Sequence, residues 1–583
     1  MSKIIKPLAI AATIAIAFIP GAGPWLAMAA QSVGFSAAAA AAIPGFIATM
    51  GVASSLSVLG KTLTKVPRTP LGQLDRLNAS INPNAGRTMV LGETAMGTDI
   101  RYVEPSGDDQ EFIDYIIGLA CHRVQSIDEI WFEDRFVSTI GLGIDPYWDG
   151  YLEIATRVEG RDDNTIAING GALWGSTRRL TGCAYVWFRI RRSGLTRKAE
   201  SPFVGGLPSR ITIKGKGQPC YDPRQDGSIG GSGYHRADNQ DSWPWGDHCK
   251  NTAIQILAYL LGWRINGELS VGRGLDPALI DMASFVTAAN ICDEDVPLKA
   301  GGTEKRYRSA AVISEDDDPA QALAGLLAAC NGRLRDVGGR LTLAIMHDDL
   351  ATAAGDPGLF DDDVLSGFTW DPAPNLPDIR NIVRGKYIDP SDEALYQLVD
   401  YPEVSSAAVG GVDRILPLNL VAVESPTQAQ RIAHQVMMRT QYQRKFSAVF
   451  SNRAWKYQVG DIVPLTFGPL GWTEKLFRVD SQTITYDGTC PMDLIEEDAA
   501  IYAWDAATQE KDAIEAGAAI AYDPLKLPWI LALAETASAE TVTTVQDTVA
   551  AQEIVIADQA TTIGTQSAAI ADLISRVEAL ETP

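Results

Sequence analysis

Histidine and cysteine are scarce in this chain, and that narrows its chemistry before any fold is considered. Five histidines are spread over 583 residues, and none stands in an H-E-x-x-H phrase; G-x-S-x-G and Walker-type loops are missing as well. The common signatures of zincin, hydrolase and P-loop chemistry are therefore absent. Seven cysteines, an odd number scattered from Cys121 to Cys490, do not look like a disulfide framework and favour a reduced compartment. Basic residues are outnumbered, 49 Lys and Arg against 72 Asp and Glu, for a net charge of −23. No Lys/Arg cluster is dense enough to be a nucleic-acid footprint, which argues against sequence-specific nucleic-acid binding. If an acidic chain lines a channel, its walls would keep a passing polyanion from sticking. With 46% hydrophobic and 21% charged residues the bulk is globular, and 583 residues suffice for several domains, roughly three or four at about 150 each.

Long apolar stretches are confined to the start. Lys3 and Lys6 precede PLAIAATIAIAFIP, and small apolar residues continue to about residue 60. A secretory signal would end at a cleavage point, whereas this character runs far past one. A membrane-spanning helix needs about 20 apolar residues, which the segment supplies, although Pro20, Pro24 and Pro44 would divide it. The reading preferred is a small-residue helical plug packing against copies of itself or another subunit, with membrane contact as a later state.

What is present is organised around Lys214 to Glu294. Asn251 is an N-cap, Ile254, Leu257 and Leu261 form an apolar face, and Gly262 stops the helix. A second helix is expected to open at Asp276-Pro277 and to carry Leu279, Met282, Val286 and Ala289. Elsewhere, Asp318-Pro319 and Ser425-Pro426 are further capped starts, Phe446, Ala448 and Phe450 alternate as a strand, and Asp487-Gly488 turns a hairpin. GCAYVWFRIRR reads as a strand with Tyr185, Trp187 and Arg189 on one face and Val186, Phe188 and Ile190 on the other. Glu133-Asp134 turns the hairpin IDEIWFEDRFV.

The metal candidate is the loop holding Cys220, His235, His248 and Cys249, but adjacent His248 and Cys249 lack zinc-knuckle spacing, which favours a structural loop. The acid runs Asp316 to Asp318 and Asp361 to Asp363 read as turns and helix caps rather than a glycosidase pair. No catalytic, cofactor or metal residue is assigned.

The order of several phrases carries a resemblance. GLACHRVQSIDEIWFEDRFV, the YDPR turn, the Trp-rich loop, NTAIQILAYLLGW, AANICDE, FTWDPAPNLPDIRNIVRGKYIDP and QAQRIA…GDIVPLTF…TITYDG resemble the tail-tip proteins of long-tailed phages, the host-specificity or central hub proteins of the lambda-type attachment family. The likeness covers roughly Pro67 to Asp505. It implies a structural virion protein: a homotrimeric hub that closes the tail tube at the tail tip, opens for genome ejection and anchors receptor-binding parts. Expected partners are distal tail and other tail-tip proteins, the tape-measure protein, a receptor-binding fibre and, during infection, the host membrane. The expected location is the virion tail tip, after assembly in the host cytoplasm. Family members usually continue into fibronectin-like and fibre domains; here a short connector leads to a heptad segment, so receptor binding is expected to fall to a separate fibre. The alternative is a tail-associated enzyme degrading peptidoglycan or glycan on a hub scaffold.

The expected architecture is multi-domain α+β: an apolar helical segment (1–66), a β-rich hub domain (67–205), an α+β hub domain (206–370), a β-rich domain with one helix (371–505), a connector (506–539) and a coiled coil (540–583). In the coil, Val542, Val549, Ile556, Ile563, Ile570 and Val577 fall at a; Val545, Gln552, Gln559, Gln566, Leu573 and Leu580 fall at d. The period is 3.5 residues, giving a left-handed stalk of about 60 Å. β-branched a positions with Leu at d lean towards two strands; the threefold hub that the resemblance implies decides for three.

Overall fold

The computed structural model describes residues 86–513, apart from 108–109, 134, 140–142, 169–172, 176, 196–199, 204–205, 209, 354, 373–377 and 408–411. The apolar segment 1–66, residues 514–539 of the connector and all twelve coiled-coil positions from Val542 to Leu580 lie outside the described residues. The described chain is β-rich with a few short helices, an α+β fold that is mostly β, and its strand pairs are almost all antiparallel.

Two sheets build the first part. One has four strands, in the order Asp99–Ser106, Phe112–Ala120, Ala184–Arg191, Leu152–Arg157. The other has five, in the order Glu93–Ala95, Ile211–Lys216, Ser126–Phe132, Arg135–Thr139, Gly143–Ile144. Because side chains alternate along a strand, Val186, Phe188 and Ile190 enter a core shared with Ile130, Phe132, Ile211 and Ile213. Tyr185 turns the other way, into a smaller core with Ile116, Ile166, Ile168 and Trp174. The strand Ala184–Arg191 is thus covered on both faces. Asp114, fully buried beside it, accepts from Trp187 Nε1 (2.8 Å), Arg189 Nε (3.0 Å) and the Ser106 hydroxyl, so no lone carboxylate is stranded in the sheet.

The helices gather around one central rod. Helix α1 (Thr252–Leu261) starts where Asn251 Oδ1 accepts from the Ala253 and Ile254 N–H groups. It ends at Gly262, whose φ of 71° is left-handed; a Cβ there would lie 2.8 Å from Leu269 Cδ1 and from the Val271 carbonyl. All ten residues of α1 are buried, so the single apolar face expected from the sequence is too narrow a description. Helix α2 (Met282–Cys292) is also shorter than expected. Asp276-Pro277 caps only a 3₁₀ turn, Pro277–Leu279. The backbone then becomes extended at Ile280, which bridges Leu341, and the Asp281 N–H donates to the Leu341 carbonyl at 2.9 Å before α2 begins. Helix α3 (Pro319–Ala328) is capped by Asp318, and α4 (Pro426–Gln441) by Ser425, as their sequences predict. In α3 Leu326 alone among the leucines is fully buried, whereas Ala429, Ile432, Ala433 and Met437 line the inward face of α4.

The core around α1 draws on distant sequence. Met89 and Leu91 reach it because Thr88–Leu91 pairs with Ala311–Ser314, and Val383, Tyr387 and Leu416 enter from the far side of the chain. A last sheet orders Thr369–Asp371, Lys445–Phe450, Cys490–Glu496, Trp472–Gln482 and Ile462–Phe467. Its core is aromatic: Phe446 contacts Phe450, Phe467, Trp472 and Phe477 at ring-centroid distances of 5.3 to 6.4 Å.

Candidate functional site

The Cys/His loop between Lys216 and α1 is where the sequence offers most chemistry. Asp222 caps a 3₁₀ turn, Pro223–Gln225, and grips Arg224 through Nε and Nη2 (2.8 to 3.1 Å). Arg224 Nη1 then reaches Asp293 Oδ2 (2.7 Å) at the end of α2, and Asn251 Nδ2 reaches Asp293 Oδ1 (2.9 Å). Arg308 closes the set on Asp293 at 3.0 Å. One carboxylate thereby ties the YDPR turn, the start of α1 and the end of α2 together. Tyr221 OH donates to Asp226 (2.7 Å), which also holds Arg236 (3.0 Å) and Ser228 (2.6 Å).

The four soft ligands come close together but are used by the backbone. His235 Nδ1 accepts from the Asp222 N–H (3.1 Å), His248 Nε2 lies 3.2 Å from the Cys220 carbonyl, and the Cys220 thiol donates to the Gln218 carbonyl (3.3 Å). Among the described residues, no three or more His, Cys, Asp or Glu side chains are arranged to hold a metal ion. Cys249 Sγ lies 3.5 Å from His248 Nε2. Burial raises the Cys249 thiol, but the neighbouring Cys220 and the His248 imidazole outweigh it and hold the thiol below its ordinary range. A thiol beside an imidazole is the arrangement seen in cysteine nucleophiles. Here Cys249 is 0% exposed and packed in the α1 core, so the sulfur is set inside the protein rather than at a substrate. All seven cysteines are free thiols.

The acid runs act as turns and caps. Asp318 caps α3, Asp317 accepts from the Ser314 N–H (3.0 Å), and Asp316 accepts from the Gly86 N–H (2.6 Å). Asp363 accepts from the Phe360 N–H (3.0 Å) and from Ser451 Oγ (2.9 Å). A buried carboxylate that sequence reading missed is Glu497. It takes both Nη atoms of Arg439 (2.9 Å each), Arg478 Nε (3.1 Å) and the Tyr502 hydroxyl. Burial opposes its ionisation, but the charges and hydrogen bonds of Arg439 and Arg478 win and hold it below the usual carboxylate range. A carboxylate so saturated is unsuited to be a general acid. Its two arginine partners lie 19 and 58 positions away, with no periodic signal to join them.

No protein-family model matches this sequence, and no match was found among curated protein sequences. The fold does have solved counterparts. A chain in the virion of a native gene transfer agent particle superposes with a TM-score of 0.53 at 15% identity, covering 80% of this chain and 98% of that one. Two tail proteins superpose more loosely. The 43 kDa tail protein of prophage MuSo2 from Shewanella oneidensis covers 71% of this chain and 95% of its own (TM-score 0.24, 11% identity). A tail protein of Neisseria meningitidis MC58 covers 72% and 98% (0.23, 11%). At those scores the last two add nothing to the argument. The first shows a shared fold over nearly the whole of the virion chain.

Proposed function

We propose that this chain is a structural protein of a phage-type virion tail, the homotrimeric hub at the tail tip. In this reading it closes the tail tube, opens for genome ejection and anchors receptor-binding components. The observation that carries it is the fold shared with a gene transfer agent virion chain along 98% of that chain. The ordered phrases between Pro67 and Asp505 support the same reading. The site chemistry is consistent with it: Asp293, Asp226 and Glu497 each bind cations and connect elements, and the buried Cys249 anchors a loop. Segments 67–205, 206–370 and 371–505 would be the hub domains and 540–583 a parallel trimeric stalk on the same axis. The apolar segment 1–66 would be buried in the assembly, against the tape-measure protein or another tail protein, until infection brings it to a membrane.

Labelling the chain in assembled particles tests the proposal directly. Signal confined to the tail tip is expected; a particle without the chain, or with it elsewhere, ends the hub reading. Light scattering of the intact protein should give three copies, and a monomer contradicts the ring. Cell-wall hydrolysis lost on mutating a carboxylate would favour the enzyme alternative.

A further inference from the structure

We infer that this chain carries an oxyanion-binding site in the cavity between the hairpin Asp295–Lys305, helix α4 and the segment Tyr502 to Trp504. The cavity holds about 160 Å³ and is lined by Arg306, Arg431, His434, Gln435, Tyr502 and Trp504 among others. Three nitrogens of its walls are buried without a hydrogen-bond partner: Arg431 Nε, His434 Nδ1 and Trp504 Nε1. Buried polar groups are nearly always satisfied, so three around one cavity point to something that belongs there.

All three are donors. Arg431 Nη1 pairs with Glu304 and Nη2 donates to the Arg306 carbonyl (2.9 Å), which leaves Nε–H over. For His434 the tautomer follows from its neighbour. The Asp505 N–H donates to Gln509 Oε1 (2.7 Å), so the Gln509 amide presents Nε2 to His434 Nε2 at 3.4 Å. His434 Nε2 therefore accepts, and Nδ1 carries the hydrogen. Burial lowers the His434 pKa, which keeps the ring neutral with that one N–H. The Trp504 indole can only donate, and its ring meets His434 edge-on at 5.6 Å.

The other polar groups nearby are engaged. Gln435 Oε1 accepts from Tyr307 and Asn331, the Tyr502 hydroxyl donates to Glu497, and Glu304 takes Ser425, Thr427 and Arg431. The Asp295 carboxylate at the rim pairs with Lys305 at 2.9 Å. Three N–H donors, one of them on the Arg431 guanidinium, with Arg306 beside them and paired to Glu294 (2.7 Å), call for an acceptor-only occupant, a carboxylate or a phosphate. Arg431 and His434 are themselves 3% and 8% exposed, whereas Trp504 is half-buried, so its indole is the wall that moves to admit the anion.

The test is calorimetry and thermal melting of the full chain in phosphate or acetate, against chloride at matched ionic strength. Saturable binding with half-effect below about 1 mM is expected. Preference for phosphate assigns a tetrahedral anion, and preference for acetate a carboxylate; either upholds the site. Trp504→Phe and His434→Phe each keep a ring and remove one donor, and each should weaken binding about tenfold. A half-effect in the tens of millimolar, or one unchanged in both variants, overturns the site. Should the variants fail to fold, a high-resolution map of the unaltered chain in phosphate decides: an anion in contact with Arg431 supports it, and water alone refutes it.

Discussion

The α1 block and the C-terminal sheet hold themselves together by different means. Around α1, polar atoms with fixed directions fasten the apolar rod: Asn251 to Asp293 and Ala289, Gln255 to Ser309 and Cys249, Gln428 to Arg308 and Ala329. In the C-terminal sheet the interior is a pile of rings on Phe446, and charges pair outside that pile, as where Lys445 meets Asp493 and where Arg478 and Arg439 meet Glu497. Hydrogen bonds specify where each partner sits, whereas aromatic packing tolerates shifts as long as volume is kept. The α1 block should therefore fail locally and sharply, and the sheet by gradual loosening.

The largest expected effect tests the aromatic side. Phe446→Ala should destabilise the sheet by about 3–5 kcal/mol. Hydrogen exchange should show lost protection over Lys445–Phe450 while α1 stays protected; equal losses in both would erase the contrast. Next is Glu497→Gln, which leaves Arg439 without its countercharge and Arg478 with Asp349 alone (2.6 Å), and should cost about 3 kcal/mol. Because the folded carboxyl ionises below its ordinary value, its contribution is complete above the unfolded pKa of about 4.3. It fades as pH falls through the lower folded value. The native protein should thus lose stability between about pH 5 and pH 3, and the variant should show a shallower acid limb in the same titration.

On the polar side, Asn251→Ala removes two accepted and two donated bonds and should cost about 2–3 kcal/mol. Asn251→Ser keeps a capping oxygen and loses the amide donors to Ala289 and Asp293, so the difference between the two variants measures the cap. If Asn251→Ala melts like the native chain, the network is ornamental to the block. The smallest effect belongs to Ser425→Ala at the start of α4, about 1 kcal/mol, seen as fraying of the first turn in exchange experiments.

The two regions also differ in how far they could be read. In the sheet, alternation at Phe446, Ala448 and Phe450 sufficed to place a strand, because one side of the pleat is buried and the other is not. The caps Asn251, Asp318 and Ser425 and the stop at Gly262 were equally legible, since capping depends only on neighbours within three or four positions. The same logic misplaced the second helix. Asp276-Pro277 is a sound start, but pairing of Ile280 with Leu341 straightens the backbone, and Leu341 is invisible to a local rule. For the Cys/His loop, the sequence offered a spacing unlike that of a zinc knuckle; the backbone partners of His235, His248 and Cys220 appeared only in three dimensions.

By itself, then, the sequence determined the elements whose cause is local: strand faces, helix starts and turn residues, together with the acidic charge balance. Tertiary structure decided which elements meet. It placed Met89 and Leu91 beside α1 by pairing with a strand more than two hundred residues away, and enclosed Glu497 between two arginines. It also brought Arg431, His434 and Trp504 to the lining of one cavity. These contacts join residues whose separation along the chain has no period, and only closure of the fold brings their side chains within bonding reach.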